Sequence, residues 1–352
     1  MNAPFALLSK QVRMVDLREP DEAARIEAFV TQRKGSVFHR PAWLRAVETG
    51  TGQKARGLLA EKAGAIIGWL PLTEVHSPIF GRMLASTGFA VEGGVLAGDI
   101  AVARELTDAA KELAIRLSCP TVELRGGEAG EDWHVRQDSH CGFVAPLQAD
   151  DEAQLQAIPR KQRAEIRKGL RADVVVTTGT TERDRFAHYD VYAASVRNLG
   201  TPVFPRSLFD AVLDALDSDI LTVWDGEDPV ASVLSLYHDG AVMPYWGGGT
   251  WAARNLRAND RMYFELMRHA RGRGCDRFDF GRSKTGSGAY HFKKNWGFDP
   301  QPLSYASWTA PGHEARDADP TSAAHQSRVA LWKKLPLPVA NRLGPIIARG
   351  LG

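Results

Sequence analysis

ILTVWDGEDPVASVLSLY, residues 220 to 237, places two apolar runs on either side of an acidic, glycine-bearing turn and reads as a β-hairpin. VMPYWGGGT (242 to 250) follows as a strand ended by glycines, NDRMYFELMRHARGRG (259 to 274) as a helix, and RFDFGRS (277 to 283) as a closing strand. Upstream the same order recurs. LLAEKAGAIIGWLPL (58 to 72) reads as a hairpin, FAVEGGV (89 to 95) as a glycine-ended strand, AVARELTDAAKELAIRL (101 to 117) as an amphipathic helix, and TVELRGG (121 to 127) as a strand. Gly94 matches Gly249 and Arg125 matches Arg282 at nearly the same offset, which points to an internal duplication. Strands alternating with helices define an α/β (α+β) chain with mixed sheets flanked by helices. The expected division is a first domain over residues 1–150, a second over 151–309, and a linker and tail over 310–352. PRKQRAEIRKGLRADVVVTTG (159 to 179), a basic helix running into a strand, opens the second domain, and residues 310–326, rich in Pro, Ala, Ser and Asp, form the linker.

Composition narrows the function classes. The 352 residues carry 44 Lys and Arg against 42 Asp and Glu, and a net charge of +2 supplies no global field for DNA or an anionic surface. The 3 cysteines, Cys119, Cys141 and Cys275, lie far apart, which fits neither a zinc site nor a disulfide scaffold and suits a reducing, cytoplasmic setting. The N-terminal stretch lacks the basic region of a signal peptide, and no apolar run approaches the ~18 residues of a transmembrane segment. Histidines show no H-E-x-x-H pattern or other metal spacing, so no metal is expected.

The densest chemical cluster is DFGRSKTGSGAYHFKKNWGF, residues 279 to 298. Glycines 281, 286 and 288 allow backbone N–H groups to approach an anion, and Arg282 offers a planar fork for phosphate or carboxylate, with Ser283 and Lys284 beside it. The competing reading is a solvated loop pinned by Tyr290, Phe292 and Trp296. On the basic helix, Arg160, Arg163 and Arg167 fall at helical spacing, with Lys168 adjacent; the face suits pyrophosphate or RNA phosphates, or is simply solvated. Asn259 and Asp260 sit where they would cap the following helix, and a helix start after a glycine-ended strand is also where a coenzyme A phosphate can rest. No G-x-G-x-[GA] loop accompanies them, which counts against an orthodox coenzyme A site.

The segments FHRPAWLRAVE, GWLPLTEVHSPIFGRML, PRKQRAEIRKGL, SVRNLGTPVFP, MPYWGGGT and DFGRSK..GAYHFKKNWGF resemble the FemAB-like proteins associated with exosortase (PEP-CTERM) systems and, more distantly, the Fem peptidyltransferases. The likeness runs from about Ser36 to Tyr305 and extends into LWKKLPLPVANRLGP near the C-terminus. It implies two tandem domains of the GNAT acetyltransferase fold, the first often degenerate. In Fem enzymes a lysine of an F-K-x-x-[FW]-G motif is implicated in catalysis, and FKKNWG places Lys293 there.

The implied reaction joins an acyl or aminoacyl group to an amine, from acetyl-CoA or another acyl-CoA, or from an aminoacyl-tRNA. The acceptor would be a small molecule or a glycan or peptide precursor connected with exopolysaccharide or the envelope. Lys293 is the candidate for the developing oxyanion, and Tyr245 and Asp279 are candidates for the base. The alternative is a non-catalytic module that binds a polysaccharide precursor or an assembly partner. The final segment, LWKKLPLPVANRLGPIIARGLG, mixes apolar residues with Lys333, Lys334, Arg342 and Arg349 and would suit peripheral membrane contact. Pro336 and Pro338 are expected to break a continuous amphipathic helix there, so that the segment packs onto the body.

Overall fold

In a computed structural model, the structure describes residues 11–314 and 329–352. Residues 1–10, and most of the stretch read as a linker, lie outside the described residues. The chain divides into two compact units, one of residues 1–136, 304–317 and 350–352, the other of 137–303 and 318–349.

Each unit is built on a mixed sheet, and the two sheets share one strand order. In the first unit, Gln11–Met14, Lys54–Lys62, Ala65–Ser77 and Gly81–Ser86 run antiparallel in succession. Gly81–Ser86 then pairs in parallel with Thr121–Arg125, which pairs antiparallel with Tyr305–Thr309. In the second unit the corresponding succession is Val175–Gly179, Ser218–Asp225, Asp228–His238 and Ala241–Gly249, then Arg277–Asp279 in parallel and Val144–Pro146 antiparallel. In both units the parallel step is bridged by a helix, Ile100–Arg116 in the first and Ala258–Gly272 in the second. The repeat read from the sequence is therefore present in the topology. Beyond these six strands the first sheet adds His134–Arg136, antiparallel to Tyr305–Thr309. Tyr305–Thr309 follows the whole second sheet in the chain, and Val144–Pro146 precedes the other strands of its sheet.

The sequence patterns explain these elements. Helix Ile100–Arg116 buries Val102, Leu106 and Ala110 at helical spacing, and Asp99 accepts from the Ala101 N–H at its start. Helix Glu182–Leu199 opens with a capping box between Thr181 and Asp184 and closes on Gly200 in the left-handed region. The core of the second unit gathers Leu221, Val233, Val242, Phe264, Phe278, Phe280 and Trp296.

Three expectations are corrected. FAVEGGV is not a strand: Phe89 and Gly93 have φ values of 59° and 113°, so the segment turns, and the strand of the repeat is Gly81–Ser86. Gly94 and Gly249 are thus not equivalent, since only Gly249 ends a strand. Asn259 and Asp260 do not cap their helix; it begins at Ala258 after Arg257, which makes no side-chain cap, and both residues stand in its first turn. Finally, Pro336 and Pro338 begin a helix rather than break one. Leu337–Ala348 tolerates both because a proline at the helix start has no intrahelical N–H to lose; Pro345 lies further along the same helix.

Candidate active site

The two sheets differ at the parallel step. In the first unit Met83–Ser86 pairs with Thr121–Leu124 to the end of the strand. In the second, only Ala241 and Val242 pair with Arg277 and Phe278, after which the two strands diverge. Opposite the divergence, the register between Asp228–His238 and Ala241–Gly249 slips: Leu234 faces Trp246 while Ser235 faces Pro244, leaving Tyr245 as the extra residue of a bulge. Tyr245 packs edge-on against Trp246 at 4.7 Å between ring centroids. A bulge beside a strand pair that opens leaves backbone groups outside the ladder there.

The segment after Arg277–Asp279 has more structure than the glycine-rich turn expected from its sequence. Ser283–Lys284 pairs with His140–Gly142, Phe280 donates its N–H to the Phe143 carbonyl at 2.8 Å, and the Thr285 hydroxyl donates to the Asp138 carbonyl at 2.8 Å. Ser287 then caps helix Gly288–Asn295, which carries Lys293. The Gly281 N–H, expected to face an anion, donates instead to the Asp279 carboxylate at 2.8 Å.

Lys293 is 9% exposed. Its Nζ donates to the carbonyls of Arg282 at 2.9 Å and Gly281 at 3.2 Å and lies 5.4 Å from the Phe143 ring centroid. Burial lowers its pKa to about 8; the Arg282 charge acts in the same direction, and Asp279 opposes them. Burial also raises the pKa of Asp279, against the Gly281 hydrogen bond and the Lys293 and Arg277 charges. An ammonium and a carboxylate whose pKa values are drawn toward neutrality thus interact between the end of strand Arg277–Asp279 and helix Gly288–Asn295.

The other candidates separate by environment. Ser283 is buried, with no partner for its hydroxyl, and Arg282, Lys284 and Tyr290 are half-buried. Trp296 is 1% exposed and sits among Tyr263, Phe280 and Phe292, so it packs the core beneath the loop rather than facing a substrate. On helix Arg160–Arg171, Gln162, Ile166 and Gly169 form the buried stripe. Arg163 turns back to the Gln156 and Ile158 carbonyls, while Arg167 and Lys168 are exposed and Lys168 pairs with Glu165 at 2.8 Å.

That helix packs on the start of Ala258–Gly272. Gln162 donates to Asp260 at 2.6 Å, Arg257 pairs with Glu165 at 2.6 Å, and Gly169 lies so close that an added Cβ would stand 2.9 Å from the Arg257 carbonyl. Asp260, its pKa raised by burial, is thus engaged from within the protein. Among the described residues no group of His, Cys, Asp or Glu is placed to hold a metal.

The sequence reading missed Phe143 and the strand His140–Gly142, which shield and hold the Lys293 loop from upstream; the apolar run from Phe143 to Leu147 was the available signal. It also missed His188, wholly buried and held neutral by a pKa lowered to about 3, with Ser232 Oγ 3.1 Å from Nδ1 and Thr222 Oγ1 2.9 Å from Ser232 Oγ.

With this geometry, comparison with known proteins is informative. Residues 159–294 match the family model described as the acetyltransferase (GNAT) domain. The fold is similar over 92% of this chain and all of the other to a crystal structure of FemX, at TM-score 0.62 and 15% identity. A tandem GNAT protein from the clavulanic acid biosynthesis pathway matches 87% of this chain and all of its own, at TM-score 0.57 and 10% identity. L-PGS from Bacillus licheniformis matches 90% of this chain and 98% of its own, at TM-score 0.51 and 12% identity. No curated protein sequence matches the chain. The architecture is that of tandem GNAT proteins, with the acetyltransferase-type sequence signal in the second unit.

Proposed function

We propose that the chain is an acyltransferase joining an acyl or aminoacyl group to an amine, with the reaction in the second unit. The observation that carries this reading is the buried Lys293 beside Asp279, next to the only parallel step of the two that opens. In the proposed step the acceptor amine attacks the carbonyl of a thioester or aminoacyl ester, a C–N bond forms, and the C–S or C–O bond breaks. Asp279 takes the proton released by the amine and returns it to the leaving thiolate or alkoxide. The Lys293 ammonium stabilises the oxyanion between the two. Arg282 and Lys284 orient an anionic portion of one substrate. An envelope or exopolysaccharide precursor as acceptor is supported only by the sequence resemblance described above.

The donor supported by the acetyltransferase (GNAT) domain match over residues 159–294 is an acyl-CoA, with an aminoacyl-tRNA as the alternative. Isothermal titration with acetyl-CoA, alongside a coenzyme A blank, is expected to show saturable binding. Absence of saturable binding would move the donor to the aminoacyl-tRNA class. A protein that binds a glycan precursor and turns over neither donor would favour the binding-module reading.

The proposed roles fix a pH profile. Asp279 must be deprotonated, so kcat rises with pH through its raised pKa; Lys293 must be protonated, so kcat falls as pH passes about 8. The expected profile is bell-shaped, and Lys293→Met removes its alkaline limb. A wild-type profile still rising beyond about pH 9 would leave no role for the lysine charge.

A further inference from the structure

Helix Leu337–Ala348 has two unlike faces. Ala340, Gly344 and Ala348, at successive turns, are buried. The helix packs on Glu182–Leu199, and Gly344 comes so near Val203 that an added Cβ would lie 3.0 Å from its backbone nitrogen. A face of small residues seats the helix closely and turns the opposite face outward. That face carries Val339, Leu343 and Ile346, exposed by 42, 43 and 58% and spaced by four and three residues, as one stripe. Arg342 flanks the stripe, and Leu331, 66% exposed, and Lys334 lie on the segment leading into the helix. From position 321 to 352 the sequence contains no Asp or Glu.

We infer that this face docks the protein on an anionic membrane surface. An aliphatic stripe bordered by cations and free of acids matches the interfacial layer of a bilayer, where the side chains reach the acyl boundary and the cations meet headgroup phosphates. The charge pattern opposes a second copy of the chain as occupant, because a two-fold contact would bring the same cations together. The inference stands independently of the acyl-transfer reading. It also reverses one side of the sequence expectation: the segment packs onto the body and, by doing so, presents an apolar face.

The test is sedimentation of the full chain with vesicles of phosphatidylcholine alone and of phosphatidylcholine with phosphatidylglycerol. The expected result is binding to the anionic vesicles only, weakened by salt. Leu343→Glu with Ile346→Glu, on the exposed face, is expected to lower the partition coefficient at least about tenfold with an unchanged melting temperature. Lys334→Glu with Arg342→Glu lowers it in the same direction. Failure to bind anionic vesicles, equal binding to neutral ones, or binding unaffected by either pair overturns the inference. So does a concentration-dependent dimer abolished by the Leu343 and Ile346 changes, which would assign the face to self-association.

Discussion

Lys293→Ala is expected to lower kcat about 100-fold, the scale of one preorganised donor at a developing oxyanion and roughly 3 kcal/mol of barrier. Three features of the site support so large an effect. The side chain is buried, so its charge acts through little water. Its Nζ is held by two carbonyls of the loop, so little reorganisation is needed. Its pKa, drawn down to about 8, keeps it charged at neutral pH yet near the point of proton release.

The same two hydrogen bonds give Lys293 a structural task, and the experiment must separate the tasks. Lys293→Met keeps the length and apolar packing while removing the charge. If stabilising charge is what matters, the methionine variant loses rate as the alanine does, and acceptor KM changes little. If the lysine only clamps the loop, KM rises and the alkaline limb of the profile survives. Full rate in either variant would remove Lys293 from the chemistry.

The second large effect lies in the first unit. Arg125→Ala is expected to cost about 3–5 kcal/mol and to lower the melting temperature of that unit by roughly 10 °C. Arg125 is 3% exposed, and its guanidinium donates to the carbonyls of Thr87 and Ala90, each at 2.8 Å, and to that of Gly352 at 3.0 Å, with Glu123 at 2.9 Å on Nε. Truncation leaves the buried Thr87 and Ala90 carbonyls without this donor. Arg125→Lys supplies charge without the planar fork and should recover only part of the loss. Differential scanning calorimetry reads both variants, and an unchanged transition for Arg125→Ala would show that the loop is held by other contacts.

Arg125 also shows what the sequence could and could not reveal. Matching it to Arg282 helped expose the repeat, yet the two residues stand differently. Arg125 ends its strand inside a cage of carbonyls, whereas Arg282 follows its strand by three residues and is half-buried. The hairpins, both crossover helices and the basic helix were legible because their apolar residues recur at periods set by local geometry. The strand Gly81–Ser86 was missed because FAVEGGV imitates the glycine-ended strand of the second unit more closely than GRMLAS does.

At the site, the F-K-x-x-[FW]-G motif pointed to Lys293, but its burial depends on Phe143, contributed by chain far upstream, which no local pattern encodes. Trp296 invited the opposite error. Phe292 and Trp296 are one helical turn apart and face the same core, a packing signal that the surrounding charges obscured.

The late place of Tyr305–Thr309 in the chain sets an order on synthesis. While the ribosome has delivered only the first half, Thr121–Arg125 has its parallel neighbour but lacks Tyr305–Thr309, and the nascent sheet has a bare edge able to pair with another chain. The second sheet meets no such wait, since Val144–Pro146 is already out of the exit tunnel when the rest of its strands emerge. The half made first is therefore the half completed last, and its exposed edge is where a chaperone would have most to do.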